Sequence, residues 1–226
     1  MSDRSADRVY IRRQGRVTRA QARALVELAP RYQLPLSETV CDWAAAFGRD
    51  APLAMEVGFG MGHALCDAAA RHRDWNWIGV EVYRPGIGAL MNALEAAELD
   101  NVRIIEADAR RVLAQMMAPA SLERVVALFP DPWPKAKHHK RRLVNADFAA
   151  LVTSRLVHGG ELKLATDWAD YAEQMLAVLD AEPGLVNVAG PGRFAPPGHE
   201  RSPTRFEARG IRLGHRVWDL VYRRST

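Results

Sequence analysis

The sequence has 226 residues, of which 48% are hydrophobic and 26% are charged, enough for one sizeable buried core. No apolar run reaches the roughly 18 residues of a membrane span, and the polar, Arg-rich start lacks the apolar core of a secretory signal. We therefore expect a cytoplasmic protein without a membrane-bound part. Two cysteines, Cys41 and Cys66, are too few for a disulfide framework, and the histidines show no metal-ligand spacing, so no metal is expected.

The positive charge is concentrated at the amino terminus. The chain carries a net charge of +4, whereas residues 1–23 hold seven arginines and two aspartates, so that all later residues together carry −1. Such a cluster is typical of an arm that binds a polyanion, although a solvated tail would explain it equally well. We predict a mobile basic arm over residues 1–23, a turn over residues 29–35 and a short helix from Ser37 to Gly48. Residues 1–50 then precede a main domain over residues 51–226.

From residue 51 onwards, patterns of strands and helices alternate. Strands are predicted at residues 53–57, 75–82, 102–106, 122–129, 161–165 and 217–222. Helices are predicted at residues 63–71, 86–99, 109–117, 146–157 and 168–179. This alternation indicates an α/β fold with a parallel sheet and helices on both of its faces. In such sheets, ligands bind at the carboxyl ends of the strands.

A glycine-rich loop follows the first strand. Gly58, Gly60 and Gly62 stand at alternate positions after Glu56, and glycines let the backbone turn sharply and approach a ligand closely. Dinucleotide sites favour a wider spacing of the third glycine, with a helix amino terminus facing pyrophosphate. A carboxylate beside the loop would repel pyrophosphate but suit a cationic ligand. The loop therefore favours S-adenosylmethionine, which carries a sulfonium and an ammonium group, over NAD.

Two further acids end the next two strands. Glu81 is placed to accept hydrogen bonds from both hydroxyls of a ribose, and Asp108 is placed to receive an adenine amino group. Each acid alone is equally well explained as a helix N-cap or a solvated loop residue. Three acids at the ends of three successive strands indicate an adenosyl cofactor.

The loop over residues 129–142 combines three kinds of side chain. Asp131 stands between two prolines, which fix φ, and Trp133 offers an aromatic face on which a base could stack. A run of basic residues follows: Lys135, Lys137, His138, His139, Lys140, Arg141 and Arg142. A solvated charge run would explain the basic half, but not its fusion to an Asp-Pro-Trp segment. We expect this loop to bind a nucleotide within a polymer.

At these residues the sequence resembles the bacterial tRNA (guanine-N7-)-methyltransferases, which act on the variable-loop guanine. The resemblance covers nearly the whole chain. Its motifs are Arg13-Gln14-Gly15-Arg16, residues 56–62 and 129–133, Lys140-Arg141-Arg142, Ala165-Thr166-Asp167-Trp168, Thr204-Arg205-Phe206-Glu207, Leu213-Gly214-His215 and Val217-Trp218-Asp219. It implies a Rossmann-like class I S-adenosylmethionine-dependent methyltransferase fold, with a mostly parallel seven-stranded sheet, and tRNA as the substrate.

The resemblance also implies residue roles. Glu56, Glu81 and Asp108, together with the glycine loop, would bind S-adenosylmethionine, which leaves as S-adenosylhomocysteine. Asp131 would contact both cofactor and guanine as the catalytic residue. Lys135 and Asp167 would hold the nucleotide, with Thr204, Arg205, Phe206 and Glu207 closing over the site. Residues 137–142 would engage the RNA backbone, where His138 and His139 would be partly protonated near neutral pH and add pH-dependent affinity.

Several interpretations stay open at this point. Asp167 is also a reasonable helix N-cap, and Thr204 with Glu207 also fits a capping box. Proline at position 134 and histidine at 139 depart from the residues of some relatives, which indicates a stiffer loop. The rival functions are an RNA-binding protein without catalysis, an NAD-dependent oxidoreductase, and a methyltransferase acting on DNA or protein. The sequence leaves open whether the chain is a monomer or a homodimer.

Overall fold

The computed structural model describes residues 15–198 and 216–225. Seven strands form one sheet: β1 (Leu53–Val57), β2 (Asn76–Glu81), β3 (Val102–Glu106), β4 (Leu122–Leu128), β5 (Leu156–Thr166), β6 (Leu185–Asn187) and β7 (Trp218–Arg224). Their order is β3-β2-β1-β4-β5-β7-β6. The first five strands pair in parallel, and β7 runs antiparallel to both β5 and β6. The predicted α/β fold with a mostly parallel seven-stranded sheet is thereby confirmed.

The described part of the chain has eight α-helices around the sheet: α1 (Arg19–Glu27), α2 (Ala29–Tyr32), α3 (Trp43–Phe47), α4 (His63–Arg71), α5 (Arg84–Ala96), α6 (Ala109–Gln115), α7 (Ala146–Arg155) and α8 (Ala169–Asp180). A 3-10 helix spans Ala136–Arg141. Within the described ranges, no helix is long and apolar enough to cross a membrane.

Alternate residues of the strands build two hydrophobic cores, because successive side chains of a strand point to opposite faces. On one face Ala54 and Trp77 pack with residues of α1, α4 and α5. On the other face Met55 and Ile78 pack with residues of α6, α7 and α8. The sheet is therefore covered on both sides, and its parallel strands bring their carboxyl ends to one edge, where the loops of the candidate site lie.

The structure corrects the prediction for the amino-terminal region. Helix α1 begins at Arg19, capped by a reciprocal pair in which the Thr18 side chain accepts from the Gln21 amide and the Gln21 side chain accepts from the Thr18 amide. Its residue Ala24 is buried in the core shared with α5. The predicted mobile arm therefore extended too far, since residues 19–23 belong to this helix.

The two elements predicted next were also misplaced. Residues 29–32 form a helix instead of a turn, since Pro30 stands in its first turn, where a missing amide proton costs nothing. The following helix α3 begins after Asp42, whose carboxylate accepts from the Ala45 amide at 3.0 Å, so the N-cap predicted at Ser37 is wrong. Its predicted end at Gly48 is correct, and this glycine adopts φ +72°.

Candidate active site

The glycine loop after β1 has an open backbone face. Gly58, Gly60 and Gly62 all have positive φ, at 69°, 58° and 79°. A Cβ atom placed on Gly62 would lie 2.6 Å from Leu90 of α5, so packing requires glycine there. A Cβ atom on Gly58 or Gly60 would meet nothing within 4 Å. These two glycines thus leave space beside the backbone, as expected where a ligand approaches it closely.

Glu81, at the end of β2, ties the glycine loop to the next strand. Its Oε2 atom accepts from the Gly60 amide at 2.8 Å, and its Oε1 atom accepts from the Val82 and Tyr83 amides at 2.6 and 3.0 Å. Burial raises the pKa of this carboxyl group, opposed by the three amide hydrogen bonds, and the charge of Asp131 raises it further. Because a carboxylate offers about four acceptor sites, Glu81 can still accept from a ligand hydroxyl.

Glu56 is the most deeply buried acid of this group. Its side chain in β1 is 3% exposed and lines a small cavity under α4 with Ala68, Trp77 and Lys163. Burial, followed by the nearby charge of Glu81, raises the pKa of Glu56 to about 8. The carboxyl group is therefore mostly protonated at neutral pH, and a cation brought beside it would favour its ionised form.

Asp108 caps helix α6 and forms an ion pair within the same turn. Its Oδ1 atom accepts from the Arg110 amide at 2.9 Å, and its Oδ2 atom lies 2.9 Å from the Arg110 guanidinium. The N-cap interpretation of this acid is thus correct. The predicted contact with an adenine amino group remains a prediction, and Asp108 would have to make it while paired with Arg110.

Asp131 lies in a loop whose backbone is unusual on both sides. Phe129 and Trp133 have φ of 52° and 45°, in the left-handed region that non-glycine residues rarely adopt. The Phe129 amide donates to the Ala165 carbonyl at 2.8 Å, which fixes the start of the loop to β5. The half-buried Asp131 is close enough to Glu81 for its charge to raise the pKa of that acid. The predicted catalytic acid and the predicted ribose acceptor therefore lie near each other at the carboxyl edge of the sheet.

Trp133 is not the stacking platform that the sequence indicated. Its side chain is only 9% exposed, with the Arg141 guanidinium 5.0 Å from the ring centroid and the His138 ring edge-on at 5.7 Å. Packing within the loop therefore uses the surface that a base would need. Trp168, at the N-cap of α8 beyond the end of β5, is 39% exposed. In the sequence, Trp168 stands out only as part of the Ala165–Trp168 motif, and nothing in its local pattern distinguishes it from a buried tryptophan.

The basic run divides by exposure into surface lysines, half-buried side chains and one buried arginine. Lys135, Lys137 and Lys140 are exposed, and His138, His139 and Arg141 are half-buried. Partial burial, followed by the charges of Arg141 and the three lysines, lowers the pKa of His138. His138 is therefore less readily protonated than an ordinary histidine, because its neighbours are cations, and its pH-dependent affinity for RNA stays a prediction.

Arg142 differs from all of these residues. Its side chain is 1% exposed, and its guanidinium donates to the Pro132 carbonyl at 2.8 Å and to Gln174 and Asp170 at 2.5 Å each. The prediction that Arg142 binds the RNA backbone is contradicted, since its donors are directed into the protein.

The remaining predicted site residues are placed only in part. Asp167 is half-buried, directly after β5, at the same edge as the Asp131 loop, and Lys135 stands exposed before the 3-10 helix. Thr204, Arg205, Phe206 and Glu207 lie outside the described residues. Among residues 15–198 and 216–225, no group of three or more His, Cys, Asp or Glu side chains is arranged to hold a metal ion.

The chain matches a protein-family model and is similar in sequence to known proteins. Residues 50–220 match a family model described as a putative methyltransferase. The chain is 54% identical to the tRNA (guanine-N(7)-)-methyltransferase of Thiobacillus denitrificans, over 96% of this chain and 95% of the relative. It is 51% identical to the enzyme of the same name from Paraburkholderia xenovorans, over 96% of this chain and 83% of the relative.

Among solved structures, the 16S rRNA methyltransferase KamB superposes with a TM-score of 0.57, covering 83% of this chain and 95% of KamB. At 16% sequence identity, this similarity concerns the fold alone. It agrees with a class I methyltransferase architecture for the sheet and its helices.

Proposed function

We propose that this chain, which belongs to the bacterial tRNA (guanine-N(7)-)-methyltransferase family, transfers a methyl group from S-adenosylmethionine to N7 of the variable-loop guanine of tRNA. The observation that carries this proposal is the convergence of the glycine loop, Glu81 and Asp131 at one edge of the sheet. A cytoplasmic location is part of the proposal, because tRNA is the substrate. The reaction itself requires no metal ion, since N7 attacks with a lone pair that it already has.

The residues at this edge suit the cofactor. The open backbone at Gly58 and Gly60 admits a ligand at close range, and Glu81 keeps an acceptor site for a ribose hydroxyl. Glu56 and Asp108 provide further carboxyl groups, as a ligand with two cationic centres and an adenine amino group requires. When bound, S-adenosylmethionine supplies an electrophilic methyl group and leaves as S-adenosylhomocysteine.

Asp131 orients the guanine and stabilises the charge that develops on it. Its carboxylate accepts hydrogen bonds from guanine N1–H and the exocyclic amine. As the purine becomes cationic, these donors become more acidic, so the interaction strengthens in the transition state. Proton abstraction by Asp131 is unnecessary for this step. Its main contributions are in-line positioning and electrostatic stabilisation.

The exposed cations next to this site bind the tRNA backbone. Lys137 and Lys140 flank the half-buried His138 and His139 on the 3-10 helix, the half-buried Arg141 ends the helix, and Lys135 precedes it. Phosphate contacts of this kind fix the register of the substrate without reading its sequence. Lys135 and Asp167, and by resemblance Thr204 to Glu207, would then hold the target nucleotide.

The decisive experiment is methyl transfer from labelled S-adenosylmethionine to tRNA, followed by nucleoside analysis. We expect 7-methylguanosine with wild-type tRNA and none with a transcript whose variable-loop guanine is replaced by adenine. Asp131→Ala should lower kcat by at least about 100-fold, comparable to the loss of one preorganised electrostatic group, while tRNA binding survives. The matched control is Asp147→Asn, which removes an exposed acid from the first turn of α7.

Each rival function predicts a different result. A protein that binds RNA without catalysis would bind tRNA but give no heat with S-adenosylmethionine. An oxidoreductase would quench NADH fluorescence. Methyl transfer to DNA or protein in preference to tRNA would contradict the proposed substrate, and wild-type turnover in Asp131→Ala would remove this residue from the mechanism.

A further inference from the structure

The Arg142 side chain connects the Asp131 loop to helix α8. Its Nε atom donates to the carbonyl of Pro132, the residue directly after Asp131, at 2.8 Å. Its two terminal nitrogens donate to Gln174 and to Asp170 of α8, each at 2.5 Å. The guanidinium also lies 4.9 Å from the centroid of the Tyr171 ring. A single buried cation thus joins three points of the fold.

The loop that Arg142 contacts contains unfavourable backbone conformations, which contacts with the rest of the fold must hold in place. Phe129 and Trp133 both adopt left-handed φ, and each such conformation costs on the order of 1 kcal/mol for a non-glycine residue. The prolines at positions 130 and 132 have no amide proton, so they cannot donate a hydrogen bond to the surrounding structure. The hydrogen bond from Arg142 to the Pro132 carbonyl therefore constrains a segment that has few donors of its own.

The anchor at the other end is an ion pair with an exposed acid. Asp170 is 63% exposed, and hydrogen bonding from Arg142, together with the positive charge of Arg142, keeps its pKa below the usual range in spite of some desolvation. The His139 Nε2 atom lies 3.0 Å from an Arg142 nitrogen and 3.7 Å from the Asp170 carboxylate. The positive charge of the buried guanidinium is thus compensated by the Asp170 carboxylate. Its other donors bond to the neutral oxygens of Pro132 and Gln174.

From this geometry we infer that Arg142 is a positioning residue for Asp131, which fixes the Pro132 carbonyl against α8 and thereby holds the Asp131 carboxylate in its place. This role rests on the proposed function of Asp131. It differs from a phosphate contact, because the guanidinium is covered by protein and its planar fork is occupied by Pro132, Asp170 and Gln174.

Arg142→Lys distinguishes a positioning role for Asp131 from a contact with RNA phosphate. Lysine keeps the charge but cannot reach all three acceptors in the planar arrangement of a guanidinium. We expect kcat at saturating tRNA to fall at least about 10-fold, because small displacements of catalytic groups are costly. The salt dependence of tRNA affinity and the affinity for S-adenosylmethionine should stay unchanged. Lys140→Ala, on the same basic segment but exposed, should instead reduce the salt slope by about one.

Asp170→Ala provides a second test that leaves Arg142 itself in place. The acid is exposed, so its removal spares the packing of α8, and circular dichroism would verify the fold. We expect a lower kcat with an unchanged salt slope, and recovery of kcat in Asp170→Glu, which restores the acceptor. Loss of kcat in Arg142→Lys without any loss in Asp170→Ala would overturn the inferred link to α8.

A third readout does not depend on turnover. In protein labelled with 5-fluorotryptophan, the ¹⁹F resonance of Trp133, assigned with Trp133→Phe, should shift or broaden in Arg142→Lys, while that of Trp43 in α3 stays unchanged. If wild-type protein makes no 7-methylguanosine, the proposed function fails while this loop test still reports on Arg142. An unchanged Trp133 resonance, or wild-type kcat combined with a reduced salt slope, would overturn the inference.

Discussion

The Oε2 atom of Glu81 accepts a hydrogen bond from the Gly60 amide at 2.8 Å, which joins the ends of β1 and β2 through a side chain. The same carboxylate is the proposed acceptor for the cofactor ribose. Loss of Glu81 should therefore affect cofactor binding in two ways, since it removes a ligand contact and also releases the glycine loop.

Glu81→Ala should weaken S-adenosylmethionine binding by roughly 10- to 100-fold, corresponding to the loss of one or two charge-assisted hydrogen bonds. Isothermal titration calorimetry measures this directly. Glu106→Ala is a matched control, because Glu106 pairs with Glu81 in register on β3 and its carboxylate lies 3.9 Å from the Arg84 guanidinium. Unchanged affinity in Glu81→Ala would remove Glu81 from the cofactor site.

The raised pKa of Glu56 predicts pH-dependent cofactor binding. Burial raises this pKa from an ordinary value near 4.5 to about 8, so the free protein carries a proton on Glu56 at pH 7. A cationic cofactor favours the ionised carboxylate, and binding should then release a proton below pH 8. We expect the affinity for S-adenosylmethionine to rise as the pH increases from 6.5 to 8.5, and calorimetry in buffers of different ionisation enthalpy to detect the released proton.

Glu56→Gln tests whether Glu56 causes the pH dependence of cofactor affinity and a matching pH dependence of folding stability. Since the unfolded chain ionises near pH 4.5 and the folded chain only near pH 8, wild-type stability should fall as the pH rises between these values. The glutamine variant should lose this part of the pH dependence and also the pH dependence of cofactor affinity. If both pH profiles match the wild type, the buried carboxyl group is not the titrating group.

The elements around the glycine loop were predictable because glycines mark where the strand ends and where the helix begins. Strand β1 and helix α4 have the predicted bounds, since Gly58 ends the strand and Gly62 stands before the helix. The first half of β5 was missed because Gly159 and Gly160 interrupt its pattern, with Gly159 at φ +77°. The three-residue edge strand β6 is too short to show a pattern of its own.

The role of Arg142 was not predictable from its neighbours. Lys140, Arg141 and Arg142 form one charge run in the sequence, and their difference arises from partners 28 and 32 residues further along the chain, at Asp170 and Gln174. The covered state of Trp133 likewise depends on how the following helical turn folds back over its ring. The motifs and their spacing thus predicted the kind of site, whereas tertiary contacts decide which side chains face the ligand.

The exposure of Trp168 leads to a prediction about the guanine. Trp168 is 39% exposed beyond the end of β5, whereas Trp133 is 9% exposed, so Trp168 is the better candidate for stacking on the target base. Trp168→Ala should raise the KM for tRNA by roughly 5- to 150-fold, corresponding to about 1–3 kcal/mol for one stacked base. Trp168→Phe should recover most of this loss. Equal KM values in all three proteins would exclude a stacking role.

Because Thr18 caps helix α1, a test of the basic amino terminus must leave Thr18 in place. Residues 1–14 contain Arg4, Arg8, Arg12 and Arg13, whereas a deletion of residues 1–23 would also remove Thr18 and the first turn of a packed helix. Deletion of residues 1–14 should weaken tRNA binding and flatten its dependence on salt, because phosphate contacts release counterions. The variant in which these four arginines become glutamine is the matched control, since it removes the charge without shortening the chain. If both proteins keep the wild-type salt slope, the amino-terminal arginines make no contact with the tRNA backbone. Deletion of residues 1–23 should in addition lower the melting temperature, since it removes the Thr18 cap, worth about 1 kcal/mol, and part of the contact with α5.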